Sequence, residues 1–152
     1  MKETPQMKQI TANMRPGVIT LEGFLGTDYR SLDDIINEDD GAVSRMGLTH
    51  EEIARRMMEL KQAGEAGLGE FIKVRPHFEV KVDSVRGKLP CPFSHPGIYR
   101  KTNTTVVNTK QGREITYTDL HIHMIEAHGF YEGRGSRFRL EPKELVEILE
   151  IL

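Results

Sequence analysis

The chain has 152 residues, of which 38% are hydrophobic and 29% are charged, and its formal net charge is −2 at pH 7, a composition that excludes a disordered or fibrous protein. This is the length of one domain, with no apolar run near the ~18 residues of a membrane span and no apolar stretch of a secretory signal at its start. Its single cysteine excludes an intramolecular disulfide, so we expect a cytoplasmic protein.

The first residues of the chain predict an arm and then a strand. Residues 1–15 are rich in Met, Gln and Lys without a period, which indicates a loose N-terminal arm ahead of a single domain of residues 16–152. Residues 18–25 combine Val, Leu and Ile with Thr and Glu, and Gly26 follows them. This composition predicts a strand that ends at the glycine.

Three helices are predicted next. Ser31, with an aspartate three residues later, is a helix start signal, and a second short helix is expected at residues 42–46. Thr49 as N-cap, with Glu52 as its capping-box partner, opens a third helix that is expected to end at Gly64. The sequence therefore predicts an N-terminal three-helix block.

From residue 71 the hydrophobic period changes from that of helices to that of strands. Strands are predicted at residues 71–75, 78–85, 104–109 and 113–117. Residues 88–103 contain three prolines and a glycine, which predict a long loop, and Pro142 opens a C-terminal helix. This order predicts an α+β fold: a single domain with a mainly antiparallel sheet, on which the three-helix block and the C-terminal helix pack.

The metal-capable side chains fall into two short segments. Cys91 and His95 are four residues apart in the predicted loop, and His121 and His123 lie close together further along the chain. Thiolate and imidazole are the ligands that zinc prefers, and two such pairs complete a tetrahedron. One hypothesis is therefore a zinc site that consists of these four residues.

The conformation of residues 119–128 decides which histidines can share a metal ion. In a strand, His121 and His123 project from one face about 7 Å apart. In a helix that Gly129 ends, His121 and His128 share a face but stand about 10 Å apart along the axis, which is too far for one ion. The capping residues favour the helix, and the alternation of apolar residues leaves the strand open.

The glycine-rich segment 131–139 is the second candidate site. Its glycines allow backbone N–H groups to face an anion, and its arginines offer forked, permanently charged partners for phosphate or carboxylate. The leading hypothesis is a non-enzymatic binding module for an anionic small molecule or a polyanion such as a nucleic-acid backbone. The predicted anion-binding residues are Arg134, Ser136, Arg137 and Arg139, with Lys88, Arg100 and Lys101 as support.

Two alternatives to a binding module stay open. A zinc site could belong to a zinc-binding domain or to a zinc-dependent hydrolase, in which Glu126 or Glu132 would be the general base. The apolar C-terminal residues 145–152 could instead be buried against a second copy of the chain, as in a structural or assembly protein that forms a homo-oligomer. Whether the protein is an enzyme is therefore open at this point.

Overall fold

Five α-helices and a four-stranded antiparallel sheet make up the part of the chain that the structure, a computed structural model, describes, namely residues 4–94 and 97–151. The helices are α1 (Pro5–Asn13), α2 (Leu32–Arg45), α3 (His50–Gly64), α4 (Asp119–His128) and α5 (Pro142–Leu149). The strands are β1 (Ile72–Val74), β2 (Phe78–Pro90), β3 (Ile98–Asn108) and β4 (Arg113–Thr118). This confirms the predicted α+β class, with helices before and after the sheet. None of these helices combines the length and the apolar content needed to cross a membrane.

Each strand of the sheet pairs with the next strand along the chain, in the order β1-β2-β3-β4. Alternate residues are buried at the start of β2 and from Thr102 to Asn108 in β3, and Val80 lies opposite Val106 in this buried face. Helix α3 covers the face so closely that a Cβ on Gly64 would come within 2.4 Å of the Val80 side chain. The opposite face carries half-exposed polar residues, among them Glu79 and Lys81. One face of the sheet is thus packed against α3, and the other face is partly exposed to solvent.

Two hydrophobic clusters form the core. The first lies between α3, the sheet and α5, and it includes Ile53, Phe78 and Leu145. The second joins α1, α2 and α4, and it includes Met14 and Cys91. The connection between β2 and β3 is therefore packed against the N-terminal helices through its cysteine.

Residues 5–13 form a helix within the segment for which the sequence predicted a loose arm. The side chain of Thr4 accepts a hydrogen bond from the Met7 backbone N–H and caps α1. Ile10 and Met14 are buried in the second cluster. The helix has only one buried residue within its own bounds, so the sequence shows little amphipathic period, and its order depends on this tertiary contact.

The predicted strand at residues 18–25 is wrong, because this segment forms turns. Leu21 is 87% exposed, whereas Phe24 is buried in the second cluster. The backbone N–H of Phe24 donates to the Met14 carbonyl, and its own carbonyl accepts from Gly133. The segment has β-forming residues, but its backbone hydrogen bonds are made to loops rather than to a neighbouring strand.

Helix α2 replaces the two short helices predicted after Ser31. Ser31 caps it as expected, accepting a hydrogen bond from the Asp34 backbone N–H. The acidic stretch that was expected to separate two helices is itself helical, and its Asp39 is buried beside Arg139. Tertiary partners, among them Arg139, thus face the carboxylates of this helical stretch.

The long loop predicted at residues 88–103 is wrong, since most of it is strand. β2 continues to Pro90, and only residues 91–97 separate it from β3. After an irregularity in the ladder, pairing resumes with Lys88 opposite Arg100 and continues with Leu89 opposite Tyr99. Proline lacks the N–H of a ladder hydrogen bond, but Pro90 is the last residue of its strand, where this is tolerated.

Helix α5 buries its apolar residues inside the same chain. Leu145, Ile148 and Leu149 all belong to the first cluster and are buried. The hypothesis of a structural or assembly protein depended on these residues facing a second copy. They are already covered by the sheet and α3, so this helix offers no such face from the residues described.

Candidate metal centre

Three metal-capable side chains meet between α4 and the connection that follows β2. They are Cys91, His123 and His128, each of which offers one ligand atom, and these atoms all lie within 4.8 Å of one another. The Cys91 Sγ is 3.6 Å from the His128 Nε2. The two imidazole rings are nearly perpendicular, with centroids 5.3 Å apart. One sulfur and two nitrogens therefore converge on one small volume.

The backbone turn that carries Cys91 is held from two sides. The Ser94 N–H donates to the Cys91 carbonyl at 3.2 Å and closes the turn. The Asn13 side-chain amide, at the end of α1, donates to the Pro92 carbonyl at 3.1 Å. Cys91 is only 3% exposed. The cysteine is thus fixed before any ligand binds, which favours a preorganised site.

Helix α4 positions both histidines. Thr118 caps its start by accepting a hydrogen bond from the His121 backbone N–H, and Gly129 ends it in the left-handed region with φ 60°. This confirms the helix and its end at Gly129, but the N-cap is Thr118 and Asp119 is the first helical residue, whereas the sequence had indicated Asp119 as the N-cap. His128 lies in the last turn, and helical side chains tilt toward the N-terminus, so its ring reaches back toward His123.

Aromatic rings cover the two imidazoles. Phe93 stacks on His128 with ring centroids 4.1 Å apart, and Tyr99 stacks on His123 at 4.4 Å. The Tyr99 hydroxyl is also 2.9 Å from the His123 Nδ1. Burial raises the pKa of Tyr99, and the neighbouring Cys91 adds to this rise, so the phenol keeps its proton. A ring N–H at Nδ1 that donates to this hydroxyl leaves the Nε2 lone pair for a metal.

The spacing and the donor set both fit zinc. With a Zn–S bond of about 2.3 Å and a Zn–N bond of about 2.0 Å, a tetrahedral angle separates sulfur from nitrogen by about 3.5 Å. The observed distance between Cys91 Sγ and His128 Nε2 is 3.6 Å. Sulfur with imidazole nitrogen is a borderline-soft set that suits zinc better than calcium or magnesium. Three protein ligands leave one tetrahedral position to be filled.

Comparison of the chain with protein-family models, with curated proteins and with solved structures gives no match. Function therefore has to be inferred from the side chains themselves.

The four predicted zinc ligands have different surroundings. Cys91 and His123 belong to the group, and His95 lies outside the described residues. His121 uses both ring nitrogens elsewhere: Nδ1 accepts the Thr118 backbone N–H at 3.0 Å, and Nε2 lies 2.6 Å from a Glu132 carboxylate oxygen. His121 thus has no ring nitrogen left for a metal.

His128 is the ligand that sequence reasoning missed. It is five residues after His123, which in an ideal helix places the two side chains about 140° apart around the axis. Residues that share a face are normally three, four or seven apart, so this spacing did not indicate a pair. The available signal was the Gly129 cap, which places His128 in the last helical turn.

Neither carboxylate suggested as a general base takes part in this group. Glu132 is buried, with φ +73°, and its other carboxylate oxygen accepts a hydrogen bond from the Ser136 hydroxyl at 2.8 Å. Glu126 is exposed on α4. The Glu132 carboxylate instead links α4 to the segment 131–139.

The arginines of the predicted anion site are paired inside the chain. Arg134 contacts Glu38, and Arg137 lies 3.3 Å from Glu22. Arg139 is buried, and its guanidinium lies 2.8 Å from an Asp39 oxygen. The positive charges that were expected to face an anion therefore already face carboxylates of the protein.

The three supporting cations differ from these arginines. No carboxylate within residues 4–94 and 97–151 lies at ion-pair distance from Lys88, Arg100 or Lys101. Lys88 and Arg100 lie opposite each other in the ladder of β2 and β3. A Cβ on Gly87 would contact the Lys101 side chain at 3.5 Å, so this lysine lies over the glycine. Lys88 and Arg100 therefore share one face of the outer part of the β2–β3 hairpin, and Lys101, the next residue of β3, projects from the other face.

Proposed function

We propose that the protein is a zinc-binding domain, in which Cys91, His123 and His128 hold one zinc ion. The observation that carries the proposal is the convergence of their three ligand atoms within 4.8 Å. Cysteine thiolate and histidine imidazole are both common zinc ligands. The ion would join the connection after β2 to helix α4. Its ligands Cys91 and His128 are 37 residues apart in the chain.

The surroundings of the three ligands favour a structural rather than a hydrolytic zinc. Cys91 is buried in an apolar cluster, and the rings of Phe93 and Tyr99 cover the two histidines. A catalytic zinc keeps an open position for water and substrate, and these apolar and aromatic neighbours restrict access to such a position. For the fourth ligand, His95 stays a prediction from its spacing to Cys91. A cytoplasmic location is part of this proposal, because a reducing compartment keeps the thiolate available.

Elemental analysis of the untagged full chain tests the zinc site. We expect close to one zinc per chain in the wild type and loss of the metal in Cys91→Ala, because the only thiolate is removed. His77→Ala is the matched control, since this histidine pairs with Glu150 away from the site and should leave the zinc in place. Folded wild-type protein without metal, which also takes up none when zinc is added, would rule the site out.

The hydroxyl of Tyr99 is expected to tune the affinity for zinc. Tyr99→Phe keeps the ring over His123 but removes the hydrogen bond at Nδ1, and the loss of such an outer partner weakens metal binding about 10–100-fold. Competition with a chromophoric chelator measures the change. Tyr29→Phe is the control, because it removes the same hydroxyl from a tyrosine that is 95% exposed and is not part of the metal group. Equal zinc affinities for Tyr99→Phe and the wild type would contradict the role of this hydroxyl.

A further inference from the structure

A second side of α4, away from the metal ligands, lines a pocket of about 350 Å³. The apolar part of its wall includes Phe24, Leu89, Leu120 and Met124. Cys91, His123 and His128 are not part of this wall. The pocket is therefore separate from the candidate metal centre, although one helix contributes to both.

The size and the wall of the pocket suit a compact ligand with an apolar body. Ligand pockets span about 300–1,000 Å³, so 350 Å³ is at the small end of that range. Apolar wall in contact with water costs free energy that an apolar ligand recovers on binding. Val85 and Phe138 at the edge are also half-exposed, which extends the apolar surface outward.

Two cations and one buried carboxylate determine the charge that the ligand should carry. Arg100 and Lys101 line the pocket, and neither has a carboxylate partner within the ranges described. Glu132 also lines it, but its two oxygens bond to His121 and Ser136. The charges available to a ligand at this wall are thus positive.

We propose that this pocket binds a small amphipathic monocarboxylate, whose carboxylate pairs with Lys101 while its apolar chain lies against Leu89, Leu120 and Met124. Charge complementarity carries the choice of an anion, since the arginines of the 131–139 segment are already paired and Lys101 is not. The apolar wall carries the choice of the chain. This binding goes beyond the zinc site and does not require the metal.

Three probes of equal chain length test the proposal by calorimetric titration of the full chain: octanoate, octan-1-ol and octylammonium. We expect saturable one-to-one binding of octanoate, at least about tenfold tighter than binding of either other probe, because a hydrogen bond to a charged group is worth that much. Equal affinities for the three probes, or no saturable binding of octanoate, would overturn the proposal.

Variants locate the binding in the pocket. Lys101→Met keeps the length of the apolar stem and should weaken octanoate binding about tenfold. Lys110→Met is the matched control, because Lys110 is exposed in the turn after β3 and should have no effect. Val85→Trp places a large ring at the half-exposed edge and should abolish binding while circular dichroism shows a folded chain. Unchanged octanoate affinity in both Lys101→Met and Val85→Trp would place the binding elsewhere and refute the proposal.

Discussion

Replacing Glu132 by alanine is expected to lower the free energy of unfolding by about 1–3 kcal/mol for each buried polar group that loses its partner. His121 accepts the Thr118 N–H at Nδ1, so its ring proton is at Nε2 and is donated to Glu132 at 2.6 Å. Without the carboxylate, this N–H and the Ser136 hydroxyl both lose their acceptor. Urea denaturation followed by circular dichroism measures the loss.

The control for this change is Glu126→Ala, at an exposed glutamate of α4. Surface substitutions of this kind change stability by about 0.5 kcal/mol or less. A double-mutant cycle with His121→Ala separates the pair from its surroundings, and we expect a coupling of about 1 kcal/mol or more. A cost below about 1 kcal/mol for Glu132→Ala would show that the pair does not stabilise the fold.

Replacing Arg139 by methionine is expected to cost about 3–5 kcal/mol, because it leaves Asp39 buried without its partner. The guanidinium bonds to both Asp39 oxygens at 2.8 and 2.9 Å and to the Glu132 carbonyl at 2.6 Å. Burial disfavours the charged form, but the hydrogen bonds to Asp39 and Glu141 raise the pKa of Arg139 above its ordinary value. The hydrogen bond that Arg139 donates to Glu141 lowers the pKa of that carboxyl group. Thermal and urea unfolding measure the cost.

Arg134→Met is the matched control for Arg139→Met, since it removes the same charge from the same segment. Arg134 is 58% exposed, and exposed ion pairs contribute only about 0–1 kcal/mol. Combining Asp39→Leu with Arg139→Met removes both buried charges and should recover most of the lost stability. If the two arginine variants lose equal stability, or the double variant recovers none, the pair is not the cause of the effect.

Local backbone chemistry explains why the ends of several helices are predictable from the sequence. Thr49 and Pro142 mark the starts of α3 and α5, and Gly129 marks the end of α4. Each acts within one turn of its own helix, by a side-chain hydrogen bond, a fixed φ or a left-handed residue. Short-range interactions of this kind are fully visible in the order of residues.

Long-range contacts account for the elements that the sequence did not predict. Helix α1 depends on burying Met14, and the stretch at 18–25 bonds to Gly133 instead of to a strand. β2 and β3 extend into the residues predicted as a loop, where Leu89 and Tyr99 pair across the hairpin. In each case the deciding partner is distant in the chain, so a local pattern cannot reveal it.

The candidate site shows the same division. Cys91 and His123 stand out by residue type, since the chain has one cysteine and six histidines. His128 and Tyr99 join them only through the packing of α4 on the hairpin. The anion site was predicted from the charged residues alone, without knowledge of their partners. The carboxylates of α2 that pair with Arg134 and Arg139 precede these arginines by about a hundred residues in the chain.

The order of the sheet has a consequence for how the chain assembles. Only residues 75–77, 91–97 and 109–112 separate successive strands, so each pairing closes a short loop at a small entropic cost. Contacts between near neighbours favour rapid folding. Cys91 and His128 are 37 residues apart, and they meet only after α4 has docked on the hairpin. We therefore expect the sheet to form early from local pairings and the metal centre to close last, on a scaffold that already exists.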